Sequence, residues 1–393
     1  MTWPSMRLSD LCKVITKGTT PTTLGYNFCD KGVGFLRVQN IGNGRVNYER
    51  DTLFIDERTH ETLKRSQVQP GDVLVSIAGT IGRAGVVPEN APALNCNQAV
   101  AIVRANGSVF RPFLRHWLES SDAQRQMLGA MVTGTISNLS LTQVGNLQIP
   151  LPPLTEQRRI AAIMDKAQAV QAKRRAALAQ LDALPQAIFL DVFGDHTTIL
   201  GRWPTKNLGE ILEFLTSGSR GWAAHYADSG NLFLRIQNVR YDELLLDDIA
   251  YVNPPDTAEA KRTRVQPGDV LLSITADLGR TAVVPEGIGT AFINQHLSIL
   301  RTKAIAPRFL SAFIASPVGQ RQVSGRNRQA VKAGLNFDDI RSFVVPLPPT
   351  KLQGDFVRRV AGVEKLSTVH RASLAEMDAL RASLQEGAFR GQL

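Results

Sequence analysis

The sequence contains one module twice. Trp3-Pro4 recurs as Trp203-Pro204, FLRVQNI from Phe35 as FLRIQNV from Phe233, and VQPGDVLVSIAGTIGRAGVVPE from Val68 as VQPGDVLLSITADLGRTAVVPE from Val265. NQAVAIVRA from Asn97 returns as NQHLSILRT from Asn294, and LPPLTEQ from Leu151 as LPPTKLQ from Leu347. LSDLCKVITKGTTP from Leu8 returns more loosely as LGEILEFLTSGSRG from Leu208. The offset drifts only from 200 residues at Trp3 to 196 at Leu151, so insertions are few. Such a duplication requires an order of module, helix, module, helix, with boundaries near residues 154, 196 and 350.

The two helical segments follow the LPP repeats. Prolines cannot sit inside a helix, and Thr155 can cap one. Apolar or small residues recur at Ile160, Ile163, Ala167, Val170, Ala177, Leu181, Leu184 and Ile188, in alternating steps of three and four with Arg174 in the one skipped slot. This heptad seam predicts a long helix packed along another. Pro185 is expected to bend it or end it early. The second seam runs through Phe356, Val363, Leu366, Met377, Leu380 and Leu384, with His370 in the slot of Arg174. Roughly thirty residues make a rod of about 45 Å.

Inside each module the signals are mostly β. Phe35 to Ile41, Val73 to Ile77, Gly85 to Val87 and Ala99 to Val103 are short runs rich in β-branched residues, bounded by Gly, Pro and Asn. QPGD at Gln69 and Gln266 reads as a tight turn. Short helices are expected at Leu8 to Ile15 and Pro112 to Leu118, with counterparts at Leu208 to Leu215 and Pro307 to Ala315. The fold class is α+β: two similar modules at 1–154 and 196–350, and two long helices at 155–195 and 351–393 forming an antiparallel coiled coil, in an internal pseudo-two-fold repeat.

A net charge of +10 and a pI of about 9.8 favour a polyanionic partner. Cys12, Cys29 and Cys96 are an odd, scattered set, which argues for reduced thiols in the cytoplasm and against a zinc site or disulfide framework. No apolar stretch is read as membrane-spanning, and the N-terminus lacks a signal-peptide pattern.

Catalytic signatures do not hold up. Asn253-Pro254-Pro255-Asp256 resembles the NPPY motif of amino-methyltransferases, but Asp256 stands where an aromatic residue must stack on a flipped base. Pro255-Asp256 with Glu259-Ala260-Lys261 resembles a PD…ExK nuclease signature, yet its carboxylates lie too close together and the first copy lacks the set. GTIGRAG at Gly79 is neither a P-loop nor a dinucleotide fingerprint. A rival in which this chain is an enzyme, a methyltransferase or nuclease fused to recognition modules, therefore lacks its motifs. Two basic modules on a rod suggest instead a reader of two separated DNA sites; 45 Å corresponds to roughly 13 base pairs.

Together these pieces resemble the specificity subunit of type I restriction-modification enzymes. They are WP near the start, G-x-TP at Gly18 to Pro21, FLRVQNI, QPGDVLVSIAGTIGR, NQAVAIV, TGTISNLS at Thr133 and IPLPPLTEQRRIA, and their order and duplication cover nearly the whole chain. The resemblance implies that each module is a target-recognition domain for one half of a split, asymmetric site on double-stranded DNA. It implies helices that set the gap between the halves, two docked modification subunits that methylate adenines with S-adenosylmethionine, and an ATP- and Mg-dependent restriction subunit. It also implies that this chain catalyses nothing.

The duplication sorts candidate site residues. Side chains that read different bases should differ between copies, whereas shared ones hold the fold, touch phosphates or dock partners. Arg37 with Gln39 and Asn40, and Arg235 with Gln237 and Asn238, are shared; so are Arg83 and Arg280, the best phosphate candidates, and Asn97-Gln98 with Asn294-Gln295. Among variable positions, Lys17, Thr19 and Thr20 face Ser217, Ser219 and Arg220, and Thr80 faces Asp277. Thr133, Thr135 and Ser137 face a segment holding Arg326, Asn327, Arg328, Gln329 and Lys332. Arg can fork onto guanine, and Gln or Asn onto adenine.

Overall fold

Each copy of the repeated sequence builds two larger sheets and one two-stranded sheet, the last from Ser5–Arg7 with Gln148–Pro150 in the first copy and Thr205–Asn207 with Val344–Pro346 in the second. The structure is a computed structural model that describes residues 3–130, 138–195, 198–326 and 334–393. In the first copy one sheet has six strands in the order Cys12–Lys17, Val100–Ala105, Val73–Ser76, Ala84–Val86, Gly44–Val46, Ile41–Gly42. The other has four: Leu53–Ile55, Val33–Leu36, Leu94–Cys96, Gln67–Val68. The second copy repeats the pattern, with Phe214–Ser217, Leu297–Arg301, Val270–Ser273 and Thr281–Val283 in one sheet. Tyr226–Ala227, Ala250–Val252, Asn231–Leu234 and Ala291–Ile293 form the other. Registers match across copies: Ala101 opposes Val75 as Ser298 opposes Leu272. These central strands are buried on both faces, so they read as continuous apolar runs rather than alternating ones.

Two expected elements differ. The run from Phe35 to Ile41 is a strand only as far as Leu36; it then tightens into a turn at Val38–Asn40, because the Asn40 side chain accepts a hydrogen bond from the Arg37 amide at 2.8 Å. Leu8 to Ile15 is a single turn, Leu8–Leu11, followed by the strand Cys12–Lys17, whose β-branched residues win over the helical spacing. Its counterpart divides likewise, into Leu208–Ile211 and Phe214–Ser217. The helices Arg111–Leu118 and Pro307–Ala315 form where expected, each with proline in its first turn.

The long helices run from Leu154 to Phe193 and from Thr350 to Arg390. Pro185 lies inside the first without ending it. The chain forms two units, Met1–Arg175 with Ala372–Leu393 and Ala176–Arg371, so each long helix contributes one half to each unit. In the first unit Arg159 reaches the Leu393 carbonyl and Gln171 reaches Met377 and Asp378. In the second, Asp182 pairs with Arg371 and Asp191 with Arg359. Partner numbers fall as residue numbers rise, so the helices are antiparallel within each unit.

The seam differs from its sequence reading at every second position. Ile160, Ala167, Leu181 and Ile188 face inward as expected, but Met164, Gln171 and Leu178 take the places assigned to Ile163, Val170 and Ala177. Val170 and Leu184 are 44% and 40% exposed. The second helix shows the same shift: Ser367 and Arg381 line the seam, while Leu366 and Leu380 are 46% and 59% exposed. Polar Gln171, Ser367 and Arg381 stand at inward positions, so hydropathy selected their apolar neighbours instead. Gln171 is satisfied there by the Met377 carbonyl at 3.1 Å and Asp378 at 2.9 Å.

The first long helix also contains an 18-residue window of mean hydropathy 1.3, long and apolar enough to cross a membrane, contrary to the sequence reading. In this helix Ile188, Phe189 and Phe193 are buried, and the two phenylalanines pack against Phe309 and Phe356. In the first unit Ile160, Met164 and Phe389 join Phe113 and Trp117 in one core. The repeated tryptophans tie each module to a helix end: Trp3 Nε1 donates to the Ala388 carbonyl at 3.1 Å, and Trp203 Nε1 to the Phe193 carbonyl at 3.3 Å.

Candidate nucleic-acid interface

In each module the repeated Asn-Gln turn gathers the candidate loops onto one rim. In the first, Asn97 donates its amide to the Leu36 carbonyl at 3.0 Å, Thr19 to Cys96 at 3.1 Å, and Ile77 to Ala99 at 2.8 Å. These three bonds bring together the loops after Lys17, Leu36 and Ser76. Leu139 donates to Ile77 at 2.9 Å and Asn138 bridges to Ala78, which sets residues 138 and 139 beside them. The second module repeats the frame. Asn294 donates to Leu234 at 3.2 Å, Ile274 to His296 at 2.9 Å and Leu335 to Ile274 at 3.0 Å, while Ser219 bridges to Asn294.

Residues shared by the copies hold this frame. A Cβ on Gly18 would stand 2.0 Å from the Cys96 carbonyl oxygen, and one on Gly218 1.9 Å from that of Asn294, so only glycine lets the strand end approach the turn. Ser76 Oγ donates to the Thr80 carbonyl at 2.5 Å and accepts from the Arg83 amide at 2.9 Å; Ser273 does the same with Asp277 and Arg280, at 2.6 and 2.8 Å. Arg37 and Arg235 each reach a carbonyl across their own loop, at Asp51 (2.8 Å) and Asp248 (3.2 Å). Asn40 and Asn238 are buried and bonded within the same loops, and Gln237 donates to Asp248 at 2.8 Å.

The sequence candidates fall into distinct places on or near the rim. Lys17, Thr19 and Thr20 are half-buried, with the Thr20 hydroxyl bonded to Gln98. Thr80 and Arg83 are exposed, and Arg83 has no ion pair among the described residues. Arg280, by contrast, is paired with Asp277 and donates to the Val239 carbonyl at 3.3 Å. Arg220 is exposed, Ser217 is half-buried, and Ser219 is buried and accepts from Trp222 Nε1 at 2.9 Å. Arg326 is engaged within its module. It donates to Ser342 at 2.6 and 2.8 Å and to the Gln322 carbonyl at 3.2 Å, and lies over the Phe343 ring. Thr133, Thr135, Ser137, Asn327, Arg328, Gln329 and Lys332 lie outside the described residues.

Comparing the copies for charge and size passed over one group. His296 replaces Ala99 and Thr275 replaces Ala78; His296 Nδ1 meets Thr275 Oγ1 at 2.5 Å, and its Nε2 meets Gln295 Nε2 at 3.0 Å. The difference rule, carried to every rim position, finds both. No group of three or more His, Cys, Asp or Glu side chains among the described residues is placed to hold a metal. Burial pushes the Cys12 thiol up to about 12 and raises that of Cys96, so neither supplies a thiolate at neutral pH.

Residues 1–180 match the family model of the type I restriction modification DNA specificity domain. Over these residues the chain is similar to the type I specificity subunits. The EcoKI specificity subunit of Escherichia coli K12 is 25% identical, over 93% of this chain and 83% of that protein. The EcoBI specificity subunit of Escherichia coli is 24% identical, over 96% and 84%. The fold is shared with a chain from a structure on complex assembly and conformational transition of the type I R-M system. That chain gives a TM-score of 0.62 at 20% identity, with 100% of this chain and 98% of that one covered. The type I S subunit from M. genitalium gives 0.56 at 14%, covering 98% and 96%. The frame that holds the rim described above occurs twice in this chain.

Proposed function

We propose that this chain is the sequence-specific DNA-recognition subunit of a type I restriction-modification complex, with each module reading one half of a split, asymmetric site. The observation that carries this is the rim. Side chains common to both copies fix the loop backbones, and side chains that differ stand on those loops, as expected of two readers with one scaffold and two target words. Lys17, Arg83 and Arg220 add positive charge there, suited to backbone phosphates. Two modification subunits that use S-adenosylmethionine, and a restriction subunit that uses ATP and Mg, supply the chemistry in the cytoplasm, while this chain supplies the address.

The test is to map methylated adenines in a host with the intact chain and with a hybrid whose 1–154 module is taken from another specificity subunit. The expected result is a split motif in which the hybrid changes one half only. A motif unaltered by loss of this chain, or methylation or cutting of DNA by the purified chain alone, overturns the proposal.

A further inference from the structure

The second module carries an open groove of about 670 Å³ whose lining includes Lys261, Arg262, Arg264 and Arg301 but no acidic side chain. Two of the four cations are committed to the fold. Arg301 forks onto buried Asp269 at 2.6 and 2.8 Å and covers one face of the Phe214 ring, and Arg262 donates to Thr216 and to the Ser217 carbonyl. The other two project into solvent. Among the described residues Lys261 has only exposed Asp256 as a partner, an ion pair of little strength in water. Arg264 is exposed and has no hydrogen bond or ion pair from its side chain among the described residues.

The groove adjoins the rim at two points. Arg262 is fastened to Ser217, where the strand Phe214–Ser217 enters the variable loop. The Arg264 backbone bridges to Phe292, two residues before Asn294 of the organising turn. The groove is thus tied to both the strand and the turn that carry the rim. The first module keeps Lys64, Arg65 and Arg104 at the matching places but differs at the fourth: Gln67 stands for Arg264 and spends its amide on the His60 carbonyl at 3.0 Å, and Val14 stands for Phe214.

We infer that this groove is a phosphate site peculiar to the second module, in which Arg264, assisted by Lys261, holds a backbone phosphate of duplex DNA beside the second half-site. The inference rests on the proposed DNA-reading function. It adds a positioning contact that carries no base information and that gives the two ends of the complex unequal electrostatic grip.

The experiment measures binding of a cognate and a scrambled duplex by the full chain with its modification subunits, as a function of salt. Each neutralised phosphate contributes about 0.9 to the slope of log K against log salt. Arg264→Gln, which installs the first module's residue at an exposed position, is expected to reduce the slope by about that amount for both duplexes and to leave their affinity ratio unchanged. Arg264→Lys is expected to retain the slope, and Lys261→Gln to lower it. An unchanged slope in Arg264→Gln overturns the site. Binding of free ATP that disappears in Arg264→Gln while the DNA slope stays unchanged overturns the assignment to DNA and names a soluble phosphate instead. Failure of the wild-type complex to bind any duplex overturns the proposed function rather than the groove.

Discussion

Arg104 forks onto Asp72, with Nε to Oδ1 and one terminal nitrogen to Oδ2, both at 2.8 Å. The carboxylate is 1% exposed and also accepts the Gln69 amide at 2.8 Å, which closes the QPGD turn. Arg301, Asp269 and Gln266 repeat the arrangement at 2.6 to 2.8 Å. Removing one partner of such a pair strands a buried charge and costs about 3–5 kcal/mol. Arg104→Ala is therefore expected to lower the unfolding free energy of the first unit, measured by urea titration, by an amount in that range. Asp72→Asn combined with Arg104→Ala should recover part of the loss, and a double-mutant cycle measures the coupling. Additive single and double effects would mean that the fork contributes nothing of its own.

The glycines at the rim set a second expectation. Gly18→Ala and Gly218→Ala each place a methyl group about as far from a carbonyl oxygen as a covalent neighbour, so the loop must shift. Overpacking of this kind costs about 1–3 kcal/mol. Each variant is expected to lose recognition of one half-site only. Methylation mapping checks it: Gly218→Ala should erase the half read by the second module and spare the other.

These two features differ in how legible they were. The Asp, the Arg and the glycines all recur in both copies, so comparing the chain with itself exposed them, along with the strands Val73–Ser76 and Val270–Ser273. What comparison could not show was purpose. Arg326 looked like a cation free for DNA because sequence does not reveal that Ser342 and Phe343 fold back beneath it. The helix seam slipped for a related reason: Gln171 is inward because a carbonyl and a carboxylate await it on the opposite helix, a tertiary fact that no periodicity encodes. Of the groove, the sequence shows Lys261, Arg262 and Arg264 within four residues, but not that Phe214, Gly289 and Arg301 fold against them.

The two units should respond to acid in opposite directions. His116 is fully buried; Arg115 donates to its Nδ1 at 2.9 Å, so the ring is neutral and its Nε2–H donates to Asp165 at 2.7 Å. Burial holds its pKa below the ordinary histidine value of 6.5. Its contribution is present above that value and is lost as pH falls through the lowered one. In the second unit burial raises the Asp242 carboxyl from 3.8 to about 6, despite Arg308 at 3.0 Å. That contribution is full below 3.8 and is lost as pH rises through 6. Hydrogen exchange between pH 4.5 and 7 is expected to show the first unit's core loosening toward acid and the neighbourhood of Asp242 tightening. Parallel responses in the two places would refute the assignment.

Gln295 is shared with Gln98, but the residue that orients its amide, His296, is not, so the organising turn offers the second module a base contact of its own. Gln295 can only donate from Nε2, so the His296 Nε2 that it meets at 3.0 Å accepts, and His296 Nδ1 carries the hydrogen given to Thr275 at 2.5 Å. This chain fixes the amide of Gln295 with its oxygen and second N–H unspent. An acceptor beside a donor is the complement of the N6 and N7 edge of adenine. In the first module Thr20 plays the orienting part by donating to the oxygen of Gln98, which leaves a different face of the amide exposed. The expected outcome is that Gln295→Ala loses about 1–3 kcal/mol of discrimination, or about 10- to 100-fold, at one base pair of the second half-site, with the first half-site untouched. His296→Ala should lose less, since the amide remains but is no longer held. Competition binding with duplexes altered one base pair at a time measures both, and Gln295→Ala with every second-half ratio intact would show that the glutamine only supports the turn.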